Sequence, residues 1–289
     1  MKSNFFRRLS FTSLLAFCIA LSAFGQESSL LWKISGNGLE KESYLFGTIH
    51  IICKSDFKMD ERITSALGST EQLILELDMS DPQLQLKMQQ VSMNPGMKNI
   101  QGEMDEALAT SLDEFLLKNY GAGLAQLGVL KPFVLTSIVL IKALPCAEIE
   151  SYETFFTTKA TEGGMSISGL ETVEFQVGVF DQIPQKLQLD ELGKMLSEDY
   201  SQNEFQTMIS TYLSEDIYAL DQTMNSSGMM ADYRSILLDE RNKSWIPQIE
   251  EAMKSKPVFV AVGAGHLAGE FGVINLLKNA GYTVEPIKK

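Results

Sequence analysis

Apolar and polar positions alternate at the two ends of this chain and follow a helical period between them. "SLLWKISG" (29–36) and "ESYLFGTIH" (42–50) alternate, are rich in aromatic and β-favouring residues, and flank "GNGLEKE", the pattern of a β-hairpin. Helical spacing covers Asp60 to Leu67, and "EQLILELDMS" predicts a short buried strand over Leu73–Leu77, so the chain opens β-β-α-β. From about 80 to 255 the signals are helical. "EMDEALATSLDEFLLKNYG" begins on acidic residues and closes on Gly121, and "LAQLGVLKPFVLTSIVLIKALP" is nearly continuous in apolar character up to Pro145. "SYETFFTTKATEGG" predicts a helix ending on paired glycines, and "MSISGLET" a short strand and turn. Further helices are expected over roughly 172–180, 184–197, 202–221, 229–240 and 243–254.

Alternation returns at the end: "KPVFVAVGAGHL" is a strand running into a glycine-rich turn, "GEFGVINLLKNAGY" a helix stopping at Gly281, and "TVEPI" a last strand. An isolated pair of strands is not stable alone, so the two chain ends must share one sheet. The expected fold is α/β of the mixed α+β kind: a central mixed sheet built from both chain ends, with a large helical middle section. No repeat, low-complexity tract or linker divides residues 26–289, which read as one domain.

The first 25 residues do not belong to that pattern. Lys2, Arg7 and Arg8 precede the apolar run "FTSLLAFCIALSAF", and Ala23 and Gly25 place small residues before Gln26, as in a secretory leader cut at that point. The run is shorter than the roughly 20 residues that span a bilayer, and the bulky Phe17 beside Cys18 is wrong for a lipoprotein cleavage site. Phe133–Leu144 is likewise too short and too interrupted by Thr136, Ser137 and Lys142, and reads as a buried helix. The expected location is therefore across the inner membrane, periplasmic or extracellular, with no membrane span after cleavage.

Removing the leader shifts the formal charge from −13 to −16, which disfavours nucleic acid and anionic membranes as partners. Cys53 and Cys146 remain, an even number in a chain leaving the reducing cytoplasm. Either they form a disulfide tying the loop after His50 to "LPCAEIE", or they are two buried thiols.

Candidate chemistry starts from the histidines, of which there are two, His50 and His266. Each follows a strand and stands three residues after a glycine, in "GTIH" and "GAGH". Glycines that let the backbone bend freely would put both imidazoles at the carboxyl end of the sheet, where open α/β sheets bind ligands. Glu76, inside the apolar "LILELD" strand on the face opposite Leu75 and Leu77, is costly to bury unless paired or coordinated. Glu171, in "SISGLETVEFQ", again follows a strand and a glycine; the competing reading is a first-turn carboxylate at a helix dipole. Asp78 reads as a strand-end residue or cap. Two imidazoles and one or two carboxylates form an N/O set suited to Zn, Mn, Co or Fe and to metal-assisted hydrolysis. The sequence has no GxSxG elbow, P-loop, CxxC or strand-linked GxGxxG.

In this order, "LFGTIH", "LILELD", "GLETVEFQ", "DERN" at 239–242 and "VGAGHLAGEFGV" resemble the TraB/PrgY/GumN family, which includes the Tiki metalloproteases of animals. The resemblance runs from about residue 30 to 287. It implies a mixed α/β fold whose two glycine-histidine motifs meet acidic residues at one site and, in the Tiki branch, a peptidase dependent on Mn or Co. Carried onto this chain, it implies His50, Glu76 and His266 as ligands of a divalent ion (Mn, Co or Zn), and Glu171 as a fourth ligand or general base. Arg241 and Asn242 match the family's Arg-Asn pair and are expected at the substrate end, unless they form a salt-bridged helix junction. The expected function is a metal-dependent hydrolase of peptides or related amides; the alternative is a peptide-binding or sequestering protein without turnover.

Overall fold

The computed structural model describes residues 27–197, 205–226 and 228–289. The leader over 1–25, its cut before Gln26, and Cys18 lie outside the described residues. The strands are β1 (Leu31–Gly36), β2 (Ser43–Thr48), β3 (Ile52–Cys53), β4 (Gln72–Leu75), β5 (Ile149–Glu150), β6 (Ser166–Gly169), β7 (Val258–Gly263) and β8 (Tyr282–Pro286).

Six of them form one mixed sheet in the order β6-β4-β7-β2-β1-β8. The expectation of one sheet built from both chain ends is met, with β7 from the end of the chain lying between β4 and β2 from its beginning. β6, β4, β7 and β2 run parallel, while β1 pairs antiparallel with β2 and with β8. Parallel strands are covered on both faces and so become apolar throughout; Val258 to Val262 of β7 are all buried. The main core packs Trp32, Phe46, Phe156, Phe259, Trp245 and Ile249 about the sheet. A second core, with Leu112, Leu116, Leu135, Val139 and Leu192, holds the helical middle together.

The helix Glu61–Gly68 forms as predicted, capped by Asp60, whose side chain accepts from the Arg62 and Ile63 N–H groups. The helix Glu106–Tyr120 likewise stops at Gly121, at φ 71°. The Phe133–Leu144 stretch is the helix Pro132–Ala143, and no helix among the described residues is long and apolar enough to cross a membrane.

Three expectations need correction. The strand predicted over Leu73–Leu77 ends at Leu75, so Glu76 lies just beyond it, because the backbone at Leu77 and Asp78 folds over Gly169, where a Cβ would stand 2.6 Å from the Asp78 nitrogen. The helix expected over 202–221 is broken into Phe205–Leu213 and Ile217–Met224 at Glu215, held at φ 60°. There the buried Glu215 carboxylate accepts from Arg62 and Ser29, and that capture outweighs helical propensity. The gap expected between 240 and 243 is absent: a widened turn, Ser235–Asp239, in which the Glu240 N–H donates to the Ser235 carbonyl, runs directly into the helix Glu240–Ser255.

Of the two readings of Cys53 and Cys146, the disulfide is the one found, and it lies beside a small antiparallel β3–β5 ladder that was not expected.

Candidate active site

The four adjacent parallel strands each deliver one candidate residue at the carboxyl end. Glu171 stands two residues past β6, Glu76 directly after β4, His266 three past β7, and His50 two past β2. Gly47 and Gly263, the glycines of the two motifs, do not adopt positive φ, so they supply room rather than freedom to bend. A Cβ at Gly47 would lie 2.6 Å from Leu267 Cδ1 and 3.1 Å from Ala264 Cα, and one at Gly263 would lie 3.2 Å from Glu76 Oε1. Bare backbone lets the His266 loop close on the end of β2, and lets the Gly263 N–H donate to Glu76 Oε1 at 2.8 Å.

Arg241 stands at the centre of the buried part. Its Nε and Nη2 donate to the two oxygens of Glu171, both at 2.8 Å, and Nη2 also donates to Glu76 Oε2 at 2.7 Å. Nη1 donates to the Leu237 carbonyl at 2.9 Å and to His266 Nε2 at 3.2 Å. A guanidinium has five N–H donors, so every one of them is committed within the protein. Trp245 Nε1 donates to Glu171 Oε1 at 2.9 Å, and the Trp245 ring packs on His266 with centroids 4.4 Å apart. Gln176, from the "GLETVEFQ" segment, donates to Glu76 Oε2 at 3.0 Å.

Asn242 is fully buried behind His266. Its Oδ1 accepts from His266 Nδ1 at 2.6 Å, and its amide donates to the carbonyls of Phe271, at 2.9 Å, and His266, at 3.3 Å. These partners assign the His266 proton to Nδ1 and leave the Nε2 lone pair facing Arg241, with Glu76 Oε1 3.9 Å away.

The two histidines occupy opposite electrostatic conditions. His266 is buried, and loss of hydration drives it down to about 3; Glu76 pulls it upward, but Arg241 works against the proton, and the ring is neutral. The His50 side chain is 69% exposed, and its Nδ1 lies 3.0 Å from Glu153 Oε1. That hydrogen bond raises His50 to about 9. Burial opposes ionisation of Glu76, but His266, His50 and Arg241, with the Gly263 N–H, hold it at about 2. With His266 neutral, Arg241 and His50 are the neighbours carrying the positive charge.

Glu153 is the residue of this cluster that reading the sequence missed. It sits in the first turn of the helix Tyr152–Glu162, capped by Ser151. Burial alone would raise its carboxyl, but the bonds from His50 and from Thr48 Oγ1, the latter at 2.6 Å, hold it below the usual range. The Ser-x-Glu start of "SYETFF" is the one local signal, and it is indistinguishable from an ordinary helix N-terminus.

The structure thus brings His50, Glu76, Glu171, Arg241, Asn242 and His266 to one end of the sheet. Among the described residues, no group of three or more His, Cys, Asp or Glu is already gathered as a metal cage. The donor set nonetheless suits one over part of its membership. Ligating histidines engage their second ring nitrogen with an oxygen acceptor, and Glu153 and Asn242 do this for His50 and His266. Glu76 Oε1, whose one bond is from the Gly263 N–H, is an available carboxylate oxygen. Glu171 is different, since Arg241 and Trp245 engage both its oxygens and its side chain is 2% exposed.

A protein-family model described as the TraB/PrgY/gumN family matches residues 30–286. No curated protein and no solved structure was found to match the chain.

Proposed function

The chain belongs to the TraB/PrgY/GumN family, and from that premise we propose that it is a metal-dependent hydrolase of peptides or related amides. His50, Glu76 and His266 would hold a divalent ion, Mn, Co or Zn. A single observation carries this reading: the two histidines of the chain stand just past the ends of neighbouring strands, each with Nδ1 tied to an oxygen, which turns Nε2 toward a ligand. The charges support it. Arg241 is shared by Glu76 and Glu171, and Glu153 is paired with His50; an ion that took the place of the His50 proton would meet a cluster of three carboxylates and one permanent cation, with two uncompensated negative charges. Bound there, the ion would lower the pKa of a coordinated water and polarise an amide carbonyl.

The chain's own residues would divide the remaining work. Asn242 holds the His266 tautomer, and the Gly263 N–H and Gln176 orient Glu76. Arg241 has no donor left for a substrate, so its role is to neutralise Glu76 and Glu171 and to fix them in place. Glu171 serves by anchoring Arg241 rather than as a base. The disulfide, with the leader-like start of the sequence, supports action outside the cytoplasm.

One observation favours a second reading, a peptide-binding protein without turnover: the Arg241 guanidinium already donates to His266 Nε2 and would have to yield that lone pair to an ion. Metal analysis of protein purified without chelator, with hydrolysis of a fluorogenic peptide library by the wild type, His50→Ala and His266→Ala, separates the two. Bound metal and turnover lost in both variants support the hydrolase. A metal-free wild type whose peptide binding survives both substitutions refutes it.

A further inference from the structure

We infer that Glu153 is the residue that positions His50, and that the Cys53–Cys146 bridge helps to hold Glu153 against it. The functional meaning rests on the metal-site reading above; the contact itself rests on geometry.

One carboxylate oxygen, Glu153 Oε1, accepts from both Thr48 Oγ1 and His50 Nδ1, residues on either side of Ile49. Thr48 is 2% exposed and pairs with Gly263 at the end of the parallel ladder. The carboxylate therefore measures the imidazole against the rigid end of β2. Its other oxygen accepts from Ser151 Oγ at 2.9 Å, and Ser151 caps the same helix, so the carboxylate is itself oriented. The mostly exposed His50 ring makes no other hydrogen bond among the described residues. Without Glu153 its rotamer would be set by solvent.

His50 and Glu153 lie far apart in sequence; the helix Tyr152–Glu162 packs Tyr152 and Phe156 on Phe46 of β2, and a covalent link ties the two segments nearer to the contact itself. His50 stands three residues before Cys53, and Glu153 stands seven after Cys146. The disulfide, the Ile52↔Glu150 and Cys53↔Ile149 pairs, and the Lys54 N–H donating to the Glu148 carbonyl at 3.0 Å close these two short segments into one ring. That ring is completed by the His50–Glu153 contact. Glu153 touches His50 rather than the open cleft, so it acts through the histidine.

The test uses the full chain with Co2+ alone as probe, read by its visible absorption, and the metal-free protein, read by imidazole 1H–15N spectra. Two histidines give two separable ring signals. E153A is expected to weaken Co2+ binding by about 10- to 100-fold, the usual cost of removing such a supporting group. It should also abolish the hydrogen-bonded Nδ1–H signal of His50 while sparing that of His266, which Asn242 holds. E153Q, which keeps an acceptor oxygen, should retain the His50 signal and lose less affinity. C53A/C146A should fall between wild type and E153A. If E153A does not fold, E153D, with its carboxylate drawn back by one methylene, replaces it and should show the same two losses. An unchanged His50 signal, or wild-type Co2+ affinity, in E153A or E153D overturns the inference. If the wild type binds no Co2+, the metal reading fails by itself and the imidazole spectra alone decide whether Glu153 positions His50.

Discussion

Replacing Arg241 by methionine should destabilise the protein severely at neutral pH and much less in mild acid. The guanidinium is the shared partner of two buried carboxylates, Glu76 and Glu171, whose side chains are 9% and 2% exposed. Removing one member of a buried pair costs about 3–5 kcal/mol, because the remaining charge has lost both water and partner. Trp245 keeps a bond to Glu171, and Gln176 and the Gly263 N–H keep two to Glu76, so the lower half of that range applies.

The acid dependence follows from how Glu76 escapes. Its ordinary value is 4.5, so taking up a proton at pH 7 costs about 3 kcal/mol, and at pH 5 under about 1 kcal/mol. In the wild type Glu76 is held at about 2, so it remains an anion at both pH values and draws on the guanidinium at both. The destabilisation by R241M should therefore shrink by about 2 kcal/mol between pH 7 and pH 5. Urea unfolding followed by circular dichroism at the two pH values measures it. R241K keeps a charge but not the planar fork that spans both carboxylates, and should lie between R241M and the wild type. A loss at pH 7 below about 1 kcal/mol, or an equal loss at both pH values, would refute the claim that Arg241 neutralises Glu76.

Other consequences can be checked on the same protein. The two histidines predict opposite pH limbs: His50, raised to about 9, contributes stability that is present below 6.5 and lost as pH rises toward 9, whereas His266, lowered to about 3, contributes stability present above 6.5 and lost as pH falls toward 3. Unfolding free energy should peak near neutrality, and a monotonic profile from pH 4 to 9 contradicts the assignment. C53A/C146A opens a loop of 93 residues, worth at most about 4–5 kcal/mol by chain entropy; a shift in unfolding midpoint too small to register would mean that the ladder holds without it. Gly47→Ala presses a methyl against Leu267 and the Ala264 backbone and should cost about 1–3 kcal/mol, read as a lowered Tm. Asn242→Leu leaves His266 Nδ1–H without an acceptor in a fully buried place, for a loss of about 1–3 kcal/mol, and should alter the His266 ring signal but not that of His50.

The sheet was legible because parallel strands buried on both faces must be apolar, and "VFVAV" and "LILEL" meet that demand with residues that fit little else. The glycine-histidine pairs were legible for a related reason, since a polar ring directly after such a strand has nowhere to go but the sheet's end. What resisted reading depends on contacts distant in sequence. Glu215 breaks a helix because Arg62 and the chain ends capture its carboxylate, and no local pattern carries that. Glu153 resembles any acidic residue in a first helical turn, and only long-range contacts, the disulfide ladder and the packing of Tyr152 and Phe156 on Phe46, bring it to His50. The role of Arg241 was hidden in its count of donors: a sequence shows an arginine near a site, but not that all five N–H groups are already spent.

That count also explains why the two histidines cannot exchange roles. His266 is enclosed between Trp245, Asn242 and Arg241, which leaves one lone pair, no proton to release near neutrality, and no route for the ring to swing. His50 has a charged partner on one nitrogen and open solvent around most of the ring, so it is the more accessible of the two. The parallel order of the strands separates the two functions. Both strands are interior to the sheet, but the turn after β7 folds under Trp245 and Arg241, while the loop after β2 leads outward to the β3–β5 ladder. The asymmetry between "GTIH" and "GAGH" thus follows from their surroundings: burial beside Arg241 keeps one ring neutral, and Glu153 with open solvent favours the proton on the other.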